Sequence, residues 1–106
     1  MKATQSFGMT EFQVMQWAKD RGIYENGTAL GQALKAMSEV MELIEAIQSN
    51  DKHEIADALG DVLVCLVNTS VLVDMDLRQC FYKAFKEIEP RQGFMNANGQ
   101  FVKTNV

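Results

Sequence analysis

Residues 53–68 read His-Glu-Ile-Ala-Asp-Ala-Leu-Gly-Asp-Val-Leu-Val-Cys-Leu-Val-Asn, so Asp57 and Asp61 run directly into six uncharged apolar residues. Few folds accept this. A solvated helix keeps its charges opposite its apolar stripe, and a core helix carries none. At 100° per residue, Glu54, Asp57 and Asn68 all fall within about 40° of Asp61. Cys65, Leu72 and Met75 continue the same stripe, while Ile55, Leu59, Val62, Leu63, Leu66, Val67 and Val73 cover the other sides. A helix so apolar beyond Gly60 is central to its fold or buried against another subunit. Its carboxylates then point into the structure. An inward carboxylate must be paired, share a proton, join a hydrogen-bond network or bind a cation. Ten basic residues against fourteen acidic ones leave little for full pairing.

The flanking segments are helical too. Thr10-Glu11-Phe12-Gln13 reads as a capping box that opens a first helix, with Phe12, Val14 and Met15 on its apolar side, ending near Arg21-Gly22. Asn26-Gly27 marks a turn in the link 23–27. Thr28 caps a second helix to about Ser49, Asp51-Lys52-His53-Glu54 opens a third to about Val73, and Asp76-Leu77-Arg78-Gln79 opens a fourth to about Glu89, where Pro90 stops it. In the tail, Asn98-Gly99 is a type I′ dipeptide flanked by Phe94, Phe101 and Val102, which suits a short hairpin or an ordered arm. The expectation is an all-α fold, a single domain over residues 1–106, with the third helix central.

A net charge of −4 argues against a nucleic-acid polymer as partner. Cys65 and Cys80 show no Cys-x-x-Cys spacing and no Cys/His cluster, so they read as free thiols of a reducing compartment rather than zinc ligands. Residues 1–10 lack the apolar core of a signal peptide. The apolar stretch 62–75 is interrupted by Asn68, Thr69, Ser70 and Asp74, too short and too polar to span a bilayer. A cytoplasmic protein with no membrane partner is expected.

On the second helix, Gln32, Lys35, Glu39 and Glu42 fall within about 80° of one another, opposite Leu30, Ala33, Met37, Val40, Met41 and Ile44. Alone, this is a solvated acidic face. Beside the inward acids of the third helix it becomes the other half of a four-carboxylate cluster: Glu39, Glu42, Asp57 and Asp61. Acids three and four residues apart lie ~5–6 Å from each other. Such a set suits a hard divalent cation, Mg²⁺ above all, with Mn²⁺ able to stand in.

At these residues a family is recognisable. Glu39-Val-Met-Glu-Leu43, followed by residues 57–68, resembles the MazG-like all-α nucleoside triphosphate pyrophosphohydrolases. That family pairs Glu-x-x-Glu on one helix with a second acidic pair on the next, ahead of an apolar run with Asn seven residues after the final Asp. Residues 16–23 and 32–47 are similar to its first two helices, and 87–103 to the closing arm of its small stand-alone, often phage-encoded members. One position departs: the commoner pattern has Glu three residues before the final Asp, where this chain has Ala58. Asp57 lies one residue earlier and Glu54 a turn before it, so the third ligand is open between them.

The resemblance implies a four-helix bundle and Mg²⁺-dependent hydrolysis of nucleoside or deoxynucleoside triphosphates to monophosphate and pyrophosphate. Glu39, Glu42 and Asp61 are then catalytic, they and Asp57 hold the metal, and Glu42 is the candidate base. Lys35, Lys83, Lys86 and Arg91 are candidates for the pyrophosphate end. Trp17 and Asn68 are candidates for the base and sugar, with a plain packing role competing for Trp17. A homodimer or homotetramer would cover the surplus apolar surface of the third helix. A di-iron centre is disfavoured because His53 has no Glu-x-x-His spacing. The rival is a non-enzymatic helical interaction module, whose stability would not depend on divalent ions. Base and sugar preference is not legible.

Overall fold

The computed structural model describes residues 4–104. Its elements are α1 (Phe7–Asp20), α2 (Ile23–Asn26), α3 (Ala29–Gln48), α4 (Lys52–Leu72), α5 (Leu77–Ile88), β1 (Gly93–Met95) and β2 (Phe101–Lys103). Three caps form where the sequence places them. Thr28 accepts from the backbone N–H of Gly31 at 2.9 Å, Asp51 from Glu54 at 3.1 Å and Asp76 from Arg78 at 3.0 Å. Each satisfies one amide that the first turn of a helix leaves unpaired.

Three local expectations are corrected. The first helix begins not at Thr10 but at Ser6, whose hydroxyl accepts from Met9 N–H at 3.2 Å. Thr10 lies inside the helix and donates its hydroxyl to the Ser6 carbonyl at 3.3 Å, the back-bond that lets threonine persist in a first turn. The link after Gly22, which is left-handed at φ 76°, is a single helical turn, closed by Gly27 N–H donating to the Ile23 carbonyl at 2.7 Å. The hairpin turn is not type I′, since only Gly99 has positive φ, at 77°. It is a three-residue loop: Gly99 N–H donates to the Asn96 carbonyl at 3.1 Å, and Asn96 Oδ1 accepts from Asn98 and Gln100. β1 and β2 pair antiparallel, with Phe94 opposite Val102.

α4 is central. Its backbone runs close to α1, α2, α3 and α5, whereas α3 and α5 each approach the backbone of α4 alone, α5 reaching α1 through the Arg78 side chain, and the hairpin strands pair with each other. The tight Ser49–Asp51 link, with Asn50 left-handed, folds α4 back along α3. Small residues line the contacts: Ala18, Ala36, Ala46, Ala58, Cys65 and Val67 are the buried apolar set. Large ones face out. Leu30, Leu34, Met37, Met41 and Ile44 on α3 are exposed at alternating four- and three-residue spacing, and Leu59, Leu63 and Leu66 repeat the pattern on α4. That is the spacing of a helix–helix seam. α4 is also long and apolar enough to cross a membrane by length and composition alone, although Asp57, Asp61 and Asn68 lie within it.

The radius of gyration is 16.3 Å, against about 13 Å for a compact domain of this length. The accessible surface is 8519 Å², against roughly 5,900 Å² for a folded monomer of this mass. One chain therefore leaves uncovered far more surface than a compact monomer does, the large apolar side chains just named among it.

Candidate active site

α3 presents its polar face to α4. Ala36, Glu39, Leu43 and Ala46 share one helical stripe, and the two alanines bring the helices close enough to leave Glu39 only 6 % exposed. Lys35 Nζ stands 3.3 Å from Glu39 Oε1. The other oxygen, Oε2, is buried without a partner. One turn on, Glu42 is exposed, yet its carboxyl is held above the usual range. The first cause is Glu39, whose neighbouring carboxylate favours the protonated form as an acceptor and repels the ionised one. Lys35 opposes the rise and Asp61 on α4 adds to it. Asp61, like Glu54 and Asp57, is exposed rather than turned inward as the sequence suggests, because no described element covers that face of α4 within one chain. Glu39 in turn holds the proton on Lys35. Cys65 lies beneath, its thiol pushed up by burial first and by Glu39 second. Lys35, Glu39, Glu42, Asp61 and Cys65 thus form one neighbourhood across the α3–α4 contact.

This donor set fits a hard divalent cation. Neighbouring carboxylates, one with a buried oxygen left unpaired, offer the oxygen ligands that such an ion takes. The fourth acid stands differently. Asp57 Oδ2 is 3.5 Å from His53 Nε2 on the exposed side of α4. Among the described residues the tight group of three is His53, Glu54 and Asp57, each with a ligand atom within 4.8 Å of the others. Glu39, Glu42 and Asp61 are less tightly gathered. Glu54 also borders a groove with Glu42, Glu45 and Ser49, while Asp57 lines a cavity with Asp61, so the two neighbouring candidates for third ligand face different hollows.

That cavity, about 620 Å³, opens between α1 and α4. Phe7, Val14, Leu63, Val64 and Val67 make it mostly apolar, with Asp57 and Asp61 at one part of the wall and Gln5, Thr10 and Glu11 contributed by the α1 side. Its size and its few polar groups are those of a small-molecule site. Glu11 is 4 % exposed; its Oε1 accepts from Arg78 Nε at 2.9 Å and its Oε2 is buried without a partner. Glu11 was absent from the residues expected from sequence, where it served a capping box. The signal was its spacing: Glu11, Val14, Met15 and Ala18 form the inward stripe of α1.

Of the other residues singled out, Lys35 joins the acids. Asn68 is buried at 2 %, its Oδ1 accepting from the Tyr24 hydroxyl at 2.7 Å. Trp17 is half-exposed outside the cavity lining, with the Arg21 guanidinium 4.9 Å from its ring centre. Lys83 and Lys86 are exposed on α5, Lys86 bonded to Glu89 at 2.7 Å, and Arg91 is exposed just beyond. The backbones of α5 and α3 do not approach one another, and among the described residues none of these three forms an ion pair with Glu39 or Glu42.

The family model of the MazG nucleotide pyrophosphohydrolase domain matches residues 28–93, from the cap of α3 to the first residue of β1. The chain belongs to the MazG family. The matched span holds Glu39, Glu42, Glu54, Asp57, Asp61 and Asn68; α1, with Glu11 and Trp17, precedes it. This MazG chain is also 37 % identical over 54 residues to an uncharacterized 18.2 kDa protein in the rep-hol intergenic region of Haemophilus phage HP1 (strain HP1c1). The match covers 51 % of the chain and 33 % of that phage protein, so the chain spans about a third of the relative's length. No solved structure matches.

Proposed function

We infer that this MazG domain, taken as one domain over residues 1–106, hydrolyses nucleoside or deoxynucleoside triphosphates to the monophosphate and pyrophosphate, with Mg²⁺ as its cation and Mn²⁺ able to replace it. The observation that carries the reading is Glu39, buried and half-paired beside Glu42 and Asp61 within the family's span. Glu39, Glu42 and Asp61 hold the cation, completed by Asp57 or Glu54. When bound, the cation neutralises phosphate charge and acidifies a water. Glu42, whose carboxyl already sits above the usual range, takes the proton from the attacking water. The water oxygen bonds to the α-phosphorus as the bond to the bridging oxygen breaks, and pyrophosphate leaves. Lys35 steadies the phosphates from the same face.

The nucleoside occupies the α1–α4 cavity, next to Asp61. Asn68, bonded to Tyr24, and Trp17, beneath the Arg21 guanidinium, are the further candidates for contacts to base and sugar. The exposed seams of α3 and α4 pack against the same seams of a second copy, giving a homodimer or homotetramer. The excess of exposed area is on the scale of an obligate subunit interface. Lys83, Lys86 and Arg91 then meet the pyrophosphate end from a partner copy. Neither a nucleic-acid polymer nor a membrane is a partner, and the protein is cytoplasmic.

The test is pyrophosphate release from a panel of NTPs and dNTPs with Mg²⁺, in the parent and in Glu42→Gln and Asp61→Asn. Activity in the parent that both variants lose supports the site and names the substrate class. No release from any nucleotide by a folded parent leaves a helical interaction module, for which the exposed seams are the docking surface.

A further inference from the structure

Glu11 does not belong to the acidic neighbourhood of α3 and α4. It lies on the α1 wall between two cavities, the one of about 620 Å³ described above and a second of about 440 Å³ lined by Met15, Val71, Met75 and Arg78. On α4 the first cavity reaches Val67 and the second begins at Val71. Glu11 therefore stands near the level of those residues, about 9–15 Å along the helix from Asp61 at 1.5 Å per residue. Phosphates held at Asp61 put the far end of a nucleoside, the base, towards Glu11.

The chemistry of Glu11 is specific. Arg78 uses one oxygen at 2.9 Å and balances the charge. The second oxygen is buried with nothing donating to it. A buried acceptor without a donor is unfavourable, a cost that a donor on a ligand filling the cavity would remove.

We propose that Glu11 is the base-selecting residue of this site, accepting a hydrogen bond from the exocyclic amine of cytosine or adenine and discriminating against uracil and thymine. The proposal rests on the pyrophosphohydrolase reading above. An amine offers N–H beside a ring nitrogen. Uracil and thymine offer N3–H between two carbonyl oxygens, which a carboxylate repels. A site built to pair one polar group rejects the analogue that lacks it more strongly than an apolar pocket does. Arg78 acts only by positioning Glu11.

The decisive comparison is kcat/KM for pyrophosphate release from CTP against UTP, and from ATP against purine riboside triphosphate, which is ATP without its amino group. The parent is expected to favour the amino substrate in both pairs by about tenfold or more. Glu11→Gln, whose carboxamide also donates, is expected to shrink the CTP:UTP ratio by at least about tenfold, with UTP gaining relative to CTP. Arg78→Ala, which releases Glu11 from its position, is expected to shrink the CTP:UTP ratio in the same direction. The substrate pairs need no variant, so they decide the matter even where Glu11→Gln folds poorly. Equal turnover within both pairs by an active parent overturns the role of Glu11 alone, as does a Glu11→Gln loss that is uniform across bases. A folded parent that releases pyrophosphate from no nucleotide overturns the enzymatic reading and this inference with it.

Discussion

Lys35 and Glu39, one turn apart on α3, form a lopsided pair: Nζ is 3.3 Å from Oε1, but the lysine side chain is 61 % exposed and the glutamate side chain 8 %. The carboxylate is desolvated and its partner is not, so the attraction is largely screened while the burial is not. Glu39→Gln is therefore expected to leave the metal-free protein as stable as the parent, or to raise its melting temperature by a few degrees. The same variant is expected to lose the rise in melting temperature that Mg²⁺ gives the parent. Paired melts with and without Mg²⁺ test this. A large drop in the metal-free melt would make Glu39 a structural residue instead.

Glu42 carries the pH dependence. Its folded pKa is raised, by Glu39 first, so the stability it contributes is present below the ordinary carboxylate pKa and fades as pH rises through the folded value. The metal-free melting temperature should fall over that window on this group's account, and Mg²⁺ should bind more tightly above it, where no proton competes. Glu42→Gln flattens both trends. Parallel pH slopes for parent and variant would rule out proton sharing with Glu39.

Tyr24 fastens the one-turn α2 to the C-terminal part of α4 through its 2.7 Å bond to Asn68. Burial raises the phenol pKa, so this donor stays neutral, and its contribution persists, until pH rises past the usual tyrosine range. Tyr24→Phe should cost about 1 kcal/mol, and Asn68→Leu about 1–3 kcal/mol because it strands the hydroxyl. Urea denaturation measures both. A cost within error for each would mean that the bond adds nothing to the fold.

The α3 seam is expected to hold copies together. Met37→Lys combined with Met41→Lys places two charges in the exposed stripe, and the sedimenting mass should fall from that of an oligomer to that of one chain. A parent that sediments as a monomer at micromolar concentration would remove the oligomer from the proposed function.

Much of this was legible in the residue order. Thr28, Asp51 and Asp76 cap where their short polar side chains say they should, because a cap satisfies amides only two or three residues away. Pro90 follows the last helical turn, and the periodicity around Asp61 marks α4 as central. Other features needed the tertiary structure. Ser6 rather than Thr10 starts α1, since a threonine can be satisfied inside a helix as well as at its end. Glu11 resembles a capping residue until Arg78, 67 positions later, is folded against it. Asp57 shares a helix face with Asp61, yet its carboxylate meets His53. Periodicity gives the direction of a side chain about its own helix axis and the local chemistry of helix ends. It carries no information on which surface arrives from elsewhere in the chain, and that arrival decides whether a carboxylate ends up paired, stranded or shared.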